Sequence, residues 1–176
     1  MNRYRLAAAS RIVPCLLLIL ILATGGCQTG NQTAPRGPVA PAIDDEDTSV
    51  AEKDGLFLVL DLPKAQFQPG ETFTATIMAT NASDQPVDIE ATSSALYTIH
   101  LWRPDTGQWQ RFKTYPEMGA MVITPWTLQP GETRTFTPTL TVESEWPSYE
   151  LIRVQAELSA VPDLNPHVDV EVVKSE

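Results

Sequence analysis

The chain after its first quarter predicts an all-β fold, an antiparallel sandwich of about eight or nine strands. Three observations predict it. Apolar and polar residues alternate with period two over short segments: in residues 72–81, Phe73, Ala75, Ile77 and Ala79 fall on one face. Turn signals return about every ten residues. The Leu-rich stretch lies in residues 16–22, ahead of any plausible fold, and the chain carries 15 Pro. A length of 176 residues accommodates one domain with appendages, so one core is expected.

The N-terminus reads as an address. Arg3, Arg5 and Arg11 precede an apolar run from Ile12 to Ala23, followed by Thr24, Gly25, Gly26 and Cys27. Basic, apolar and small residues in that order make residues 1–26 a cleavable signal peptide. As a helix the apolar run reaches roughly 18 Å, short of the ~30 Å hydrocarbon core that a membrane span crosses. A Cys directly after Gly in this setting resembles the lipobox of bacterial lipoproteins. The resemblance implies a diacylglycerol group on Cys27 and a protein tethered to a membrane of the bacterial cell envelope, on the periplasmic or cell-surface side. Cys15 leaves with the signal peptide, so the folded domain is expected to hold no disulfide, no Cys nucleophile and no thiolate zinc site.

Residues 27–54 are rich in Pro, Gly, Ala, Thr and acid and show no periodic apolar face. Such a segment buries too little surface to offset its conformational entropy, and a disordered tether is expected. The run Asp44, Asp45, Glu46, Asp47 is a solvated spacer, because it lacks the Gly and the ligand spacing of a calcium loop.

The sandwich is expected over residues 55–176. Residues 56–62 form a near-continuous apolar strand, and 72–81 follows the turn at Pro69-Gly70. Beyond the turn at 81–86, Val87, Ile89 and Ala91 alternate with Asp88, Glu90 and Thr92. Residues 96–103 turn at Pro104-Asp105-Thr106-Gly107 into 108–114. Later strands are expected at 121–128, 133–142, 149–160 and 168–174. The pentapeptide Gln68-Pro69-Gly70-Glu71-Thr72 recurs as Gln129-Pro130-Gly131-Glu132-Thr133, each copy leading a Thr-rich segment. This is one turn chemistry used twice: Pro fixes one corner and Gly supplies a positive φ.

With the strands laid out, residues 71 to about 142 resemble the BsuPI-type intracellular proteinase inhibitor domain. The residues that carry the likeness are Thr76-Ile77-Met78-Ala79-Thr80-Asn81-Ala82-Ser83-Asp84-Gln85-Pro86-Val87, then Ser93-Ser94, Tyr97, Asp105 and Gly107. They continue with the aromatic segment from Trp109 to Phe112, and with Leu128 before Pro130-Gly131-Glu132. The resemblance implies an immunoglobulin-like β-sandwich that binds protein, with proteinase inhibition as its activity. It assigns no inhibitory residue.

The chemistry available is that of a binder. There are 22 Asp+Glu against 12 Lys+Arg, and residues 1–26 hold three of the Arg and no acid. Nucleic acid is therefore excluded as a partner, since a polyanion needs clustered cations. His100 and His167 lack HExxH spacing, and no G-x-S-x-G elbow is present. The loop 163–169 lacks the Gly and bidentate Glu of a calcium site. No catalytic residue, metal or cofactor is expected. The Trp are the informative side chains. Trp102 has opposite parity to Tyr97, Ile99 and Leu101 and points outward if those point inward; it either contacts a partner or packs across the hairpin on Trp109. Trp126 adjoins Pro125, and residues 115–125 form the longest irregular apolar stretch. Trp102, Trp109, Met118, Met121 and Trp126 are thus candidate partner contacts. Three functions compete: an envelope-anchored protein-binding module, a carbohydrate-binding module that stacks sugars on Trp102 and Trp109, and a structural subunit of an envelope assembly that pairs through an edge strand.

Overall fold

The structure, a computed structural model, describes residues 46–91, 94–117, 120, 122–148 and 151–173. The described residues form an antiparallel, immunoglobulin-like β-sandwich without helix. Its strands are β1 (Thr48–Lys53), β2 (Leu56–Asp61), β3 (Gln66–Phe67), β4 (Thr72–Thr74), β5 (Thr76–Asn81), β6 (Val87–Ala91), β7 (Tyr97–Asp105), β8 (Gln108–Tyr115), β9 (Thr124–Leu128), β10 (Thr133–Phe136), β11 (Thr139–Thr141), β12 (Leu151–Leu158) and β13 (His167–Val172). One sheet has the order β1-β2-β5-β10, extended by the pair β4-β11; the other has the order β3-β13-β12-β7-β8. A ribbon of β6 and β9 stands beside them, and the short β3 pairs parallel to β13.

Every strand expected from the periodicity is present, and the strand count exceeds the expected eight or nine for two reasons. Two strands were not foreseen, β1 and β3. Two expected strands are each interrupted once. Pro138 faces Ala75 in the ladder: the Ala75 N–H reaches the Pro138 carbonyl at 2.9 Å, but Pro138 has no N–H to return. The missing bond divides residues 72–81 into β4 and β5, and 133–142 into β10 and β11.

The N-terminal boundary corrects the expectation of a disordered segment through residue 54. Residues Thr48–Lys53 pair along their whole length with β2, from Thr48 opposite Asp61 to Lys53 opposite Leu56. The hairpin turns on Asp54 (φ 53°) and Gly55 (φ 80°), the two positive-φ positions of a two-residue type I′ turn. Asp-Gly between β-forming residues is the sequence signal for that hairpin, masked here by the acidic, Pro-rich composition upstream. Thr106 (φ 48°) and Gly107 (φ 85°) make the same turn between β7 and β8, as expected. Residues 1–45, where the signal peptide, a lipidated Cys27 and most of the disordered tether are expected, lie outside the described residues.

The two pentapeptide turns are equivalent in detail. Gly70 and Gly131 have φ of 82° and 77°. The Glu71 N–H donates to the Gln68 carbonyl at 3.0 Å, and the Glu132 N–H to the Gln129 carbonyl at 2.9 Å. In each turn the Glu carboxylate folds back to accept the Gln N–H, at 2.9 Å on Glu71 and 2.8 Å on Glu132. The strands they launch pair antiparallel with each other, Thr133 opposite Thr80 and Thr141 opposite Thr72. A local pseudo-twofold axis therefore passes between Thr76 and Thr137.

The inner faces of both sheets close one core. Leu58, Leu60, Ile77 and Ala79 meet Ile99, Leu101, Ile152, Val154 and Val170, all fully buried. Each such aliphatic side chain contributes roughly 1.5–3 kcal/mol by leaving water. Phe67 stacks on Phe73 with centroids 4.1 Å apart, and Trp146 meets Phe73 edge-on. Asn81 is the buried amide. Its Nδ2 donates to the carbonyls of Gln85 (2.8 Å) and Leu128 (2.9 Å), and its Oδ1 accepts from the Ser83 N–H and hydroxyl. Fully satisfied in this way, it ties the 82–86 turn to the end of β9.

Candidate functional site

The segment joining β8 to β9 builds one end of the sandwich. It leaves β8 at Tyr115 through a cis Tyr115–Pro116 bond and enters β9 at Thr124. At Ala120 it is clasped to the stretch that precedes β7: the Ser94 N–H donates to the Ala120 carbonyl at 2.9 Å, and the Ala120 N–H to Ser94 Oγ at 3.0 Å. That neighbour is held in turn, since Ser159 donates through its N–H to the Leu96 carbonyl (3.1 Å) and through Oγ to the Ala95 carbonyl (2.6 Å). Fastened at its centre, the segment turns Val122 and Ile123 into water, 52% and 65% exposed. Two adjacent β-branched side chains so exposed are unusual in a chain that buries its other Ile among the described residues.

An apolar hollow of about 300 Å³ opens against this segment, lined by Ser94, Ala95, Leu96, Tyr97, Pro116 and Phe136. The rings of Tyr97 and Phe136 form its wall, 5.1 Å apart. Acid flanks it. Lys113, largely buried, bonds Glu143 and Glu145 and lies 3.5 Å from Glu117. Tyr115 donates its hydroxyl to Glu143 at 2.8 Å. The bond to Glu143 raises the Lys113 pKa, and the bonds from Lys113 and Tyr115 hold the Glu143 carboxyl below its usual range. Burial, with the Glu143 bond second, pushes the Tyr115 phenol up. Three carboxylates around one ammonium leave this flank net negative.

The candidate Trp separate. Ile99 and Leu101 are buried, so Trp102 stands on the opposite, outer face of its sheet as parity requires. There it shares a layer with His100, Trp109, Arg111 and Arg153. Arg153, opposite Trp102 in the β7–β12 ladder, lies over Trp109 with its guanidinium 4.2 Å from the ring centroid, and is itself held by Asp169 at 2.8 and 3.0 Å. Arg111 covers Trp102 at 5.7 Å. The two Trp are half-buried under cations and not stacked on each other. Trp126 is 7% exposed and packs inward against Phe136, with Arg134 at 4.6 Å from its ring. It supports the site from below and offers no contact surface, because its strand turns that face to the core. Met118 and Met121 lie outside the described residues.

The buried His100 is a local feature of the same outer layer. Its Nδ1 is 3.0 Å from the Thr114 hydroxyl and its Nε2 3.3 Å from Glu157. Burial lowers its pKa; Glu157 opposes the shift and Arg111 adds to it. Among the described residues no cluster of three His, Cys, Asp or Glu is placed to hold a metal ion, and no helix is long and apolar enough to cross a membrane.

No family model and no curated protein matches the chain. Among solved structures it is similar to Spo0M, a sporulation control protein from Bacillus subtilis, at 19% identity and a TM-score of 0.46, over 70% of this chain and 51% of that one. It is similar to β-glucosidase from Listeria innocua in complex with isofagomine at 19% identity and 0.43, over 68% of this chain and 16% of the enzyme. AvmM, which catalyses macrocyclization in alchivemycin A biosynthesis, aligns at 14% identity and 0.40, over 72% and 97%. The chain thus spans about half the length of Spo0M and about a sixth of the glucosidase.

Residues 115–125 are legible in the sequence as an irregular apolar stretch, and what surrounds them is not. Leu96 and Phe136 line the hollow from strands far apart in sequence. The Lys113–Glu143–Glu145 cluster joins β8 to the segment after β11, across about 30 residues that carry no local signal.

Proposed function

We propose that this protein is a non-enzymatic binding module of the bacterial cell envelope, anchored through lipid on Cys27, that holds a protein partner at the Pro116–Ile123 end of its sandwich. The observation that carries the reading is the exposed pair Val122 and Ile123, linked through Ala120, which bonds both Val122 and Ser94, to the chain that lines the apolar hollow of Leu96, Tyr97 and Phe136. Exposed apolar side chains next to a concave apolar surface are the composition of an interface centre. The clasp from Ser94 lowers the ordering cost of docking, because the loop is held before the partner arrives. The acidic flank selects a partner with basic residues around an apolar plug.

Proteinase inhibition is the activity that the resemblance to the BsuPI-type domain supports, with the clasped loop as the presented segment. Carbohydrate stacking is the weaker reading, since a sugar ring has to displace Arg153 from Trp109 before it reaches the indole.

The test has two arms on the full chain. A photocrosslinker at Ile123, in the cells that make the protein, is expected to trap a discrete protein that the same group at Glu90 does not. Titration against subtilisin and chymotrypsin reads inhibition directly, and Val122→Asp with Ile123→Asp is expected to abolish it. Equal crosslinking from both positions, or turnover of a substrate by the purified chain, overturns the reading.

A further inference from the structure

We propose that the free edge of the Thr133–Thr141 strand pairs antiparallel with the same edge of a second copy of this chain. The ladder beside it shows which groups are free. Toward β4 and β5 the bonds are made at even positions: the Asn81 N–H donates to the Glu132 carbonyl (3.0 Å) and the Ala75 N–H to the Pro138 carbonyl (2.9 Å), while Val142 donates to Glu71 (2.8 Å). In an antiparallel ladder the intervening residues turn their N–H and C=O the other way. Those are Thr133, Thr135, Thr137, Thr139 and Thr141, and among the described residues no strand pairs with that side of β10 or β11.

This edge keeps its outward backbone groups in spite of Arg134 and the break at Pro138. Sheet edges are blunted by charge, by bulges, by shortness, or by a Pro whose missing N–H faces solvent. The other outermost strands of the two large sheets have such devices: β1 ends in Glu52-Lys53, β8 carries Arg111 and Lys113 with a bulge opposite Leu101/Trp102, and β3 is two residues long. Pro138 is placed the opposite way, its missing N–H turned inward, so all five outward donors survive.

The edge fits its own copy. Antiparallel pairing centred on Thr137 sets Thr133 against Thr141 of the partner subunit and Thr135 against Thr139 of the partner subunit, so Thr meets Thr at every odd position. The strand already sets Thr against Thr on its inner side, at positions not bonded through the backbone, with hydroxyl contacts of 2.8 and 3.1 Å to Thr80 and Thr72. In a chain of formal net charge −10, this strand contributes no acid between Thr133 and Thr141. Its one charge, Arg134, would face Leu140 of the partner subunit, roughly 20 Å from its symmetry mate at the rise of a strand.

Amide hydrogen exchange on the full chain in detergent, followed residue by residue over a concentration series, tests the pairing alongside sedimentation. A dimer is expected, with the amides of Thr133, Thr135, Thr137, Thr139 and Thr141 becoming protected as it forms. Thr137→Lys puts like charges across the axis and is expected to weaken the dimer about tenfold, with recovery in salt. A monomer at every concentration overturns the proposal. So does a dimer in which those five amides exchange freely, which places the contact elsewhere, or a dimer indifferent to Thr137→Lys.

Discussion

The hydroxyls of Thr80 and Thr133 lie 2.8 Å apart, and the pseudo-twofold axis of the strand pair repeats the contact between Thr141 and Thr72 at 3.1 Å. Both pairs occupy positions where the backbones of the two strands do not bond each other, and there side chains approach most closely. The repeated pentapeptide therefore marks more than a turn: it sets two like strands in one antiparallel register.

Equivalent turns should respond alike. Gly70→Ala and Gly131→Ala meet nothing within 4 Å of the new Cβ, so each cost is the strain of a positive φ alone, about 1–2 kcal/mol. Urea denaturation of the two single variants should give matching losses. A marked difference would show that one turn is held by contacts the other lacks.

The Thr pairs should be coupled. A double-mutant cycle of Thr80→Val and Thr133→Val is expected to show an interaction of about 0.2–1 kcal/mol. The Thr72 and Thr141 cycle should give the same value, and Thr80 with Thr141, far apart along the pair, none.

His100 makes stability depend on mild acid. Its folded pKa lies below the ordinary 6.5 because of burial, so the unfolded chain takes up the proton first. Stability is expected to fall as pH drops from above 6.5 toward the folded value, and His100→Gln should remove that slope. Thermal unfolding between pH 7.5 and 5 reads it.

Lys113→Gln leaves Glu143 and Glu145 facing each other without their cation. Glu143 has a lowered pKa through its bonds from Lys113 and Tyr115, so its stabilising effect is present above the ordinary 4.5 and is lost as pH falls through the folded value. The variant should therefore be less stable than the parent at pH 7, by about 1 kcal/mol for a charge-assisted bond partly screened by water. The gap should close in acid.

Starting the chain at residue 55 removes β1 and opens the edge of β2, Leu56-Phe57-Leu58-Val59-Leu60. An uncovered apolar edge strand templates aggregation. The shortened chain is expected to precipitate on concentration, where a chain beginning at residue 46 stays in solution; light scattering distinguishes them.

The sequence by itself determined the fold class, nine of the strand positions and the two turns. Those follow from side-chain parity and from Gly and Pro backbone preferences, which act within a few residues. The outward parity of Trp102 came from the same source. Asp54-Gly55 carried an equally local signal for β1, outweighed by the composition before it. Only the tertiary structure decided that Trp126 is buried, that Arg153 covers Trp109, and that Leu96, Pro116 and Phe136 share one hollow. Those are contacts between strands distant in the chain, set by sheet order and register, and a linear pattern of apolar residues does not encode which strand lies next to which.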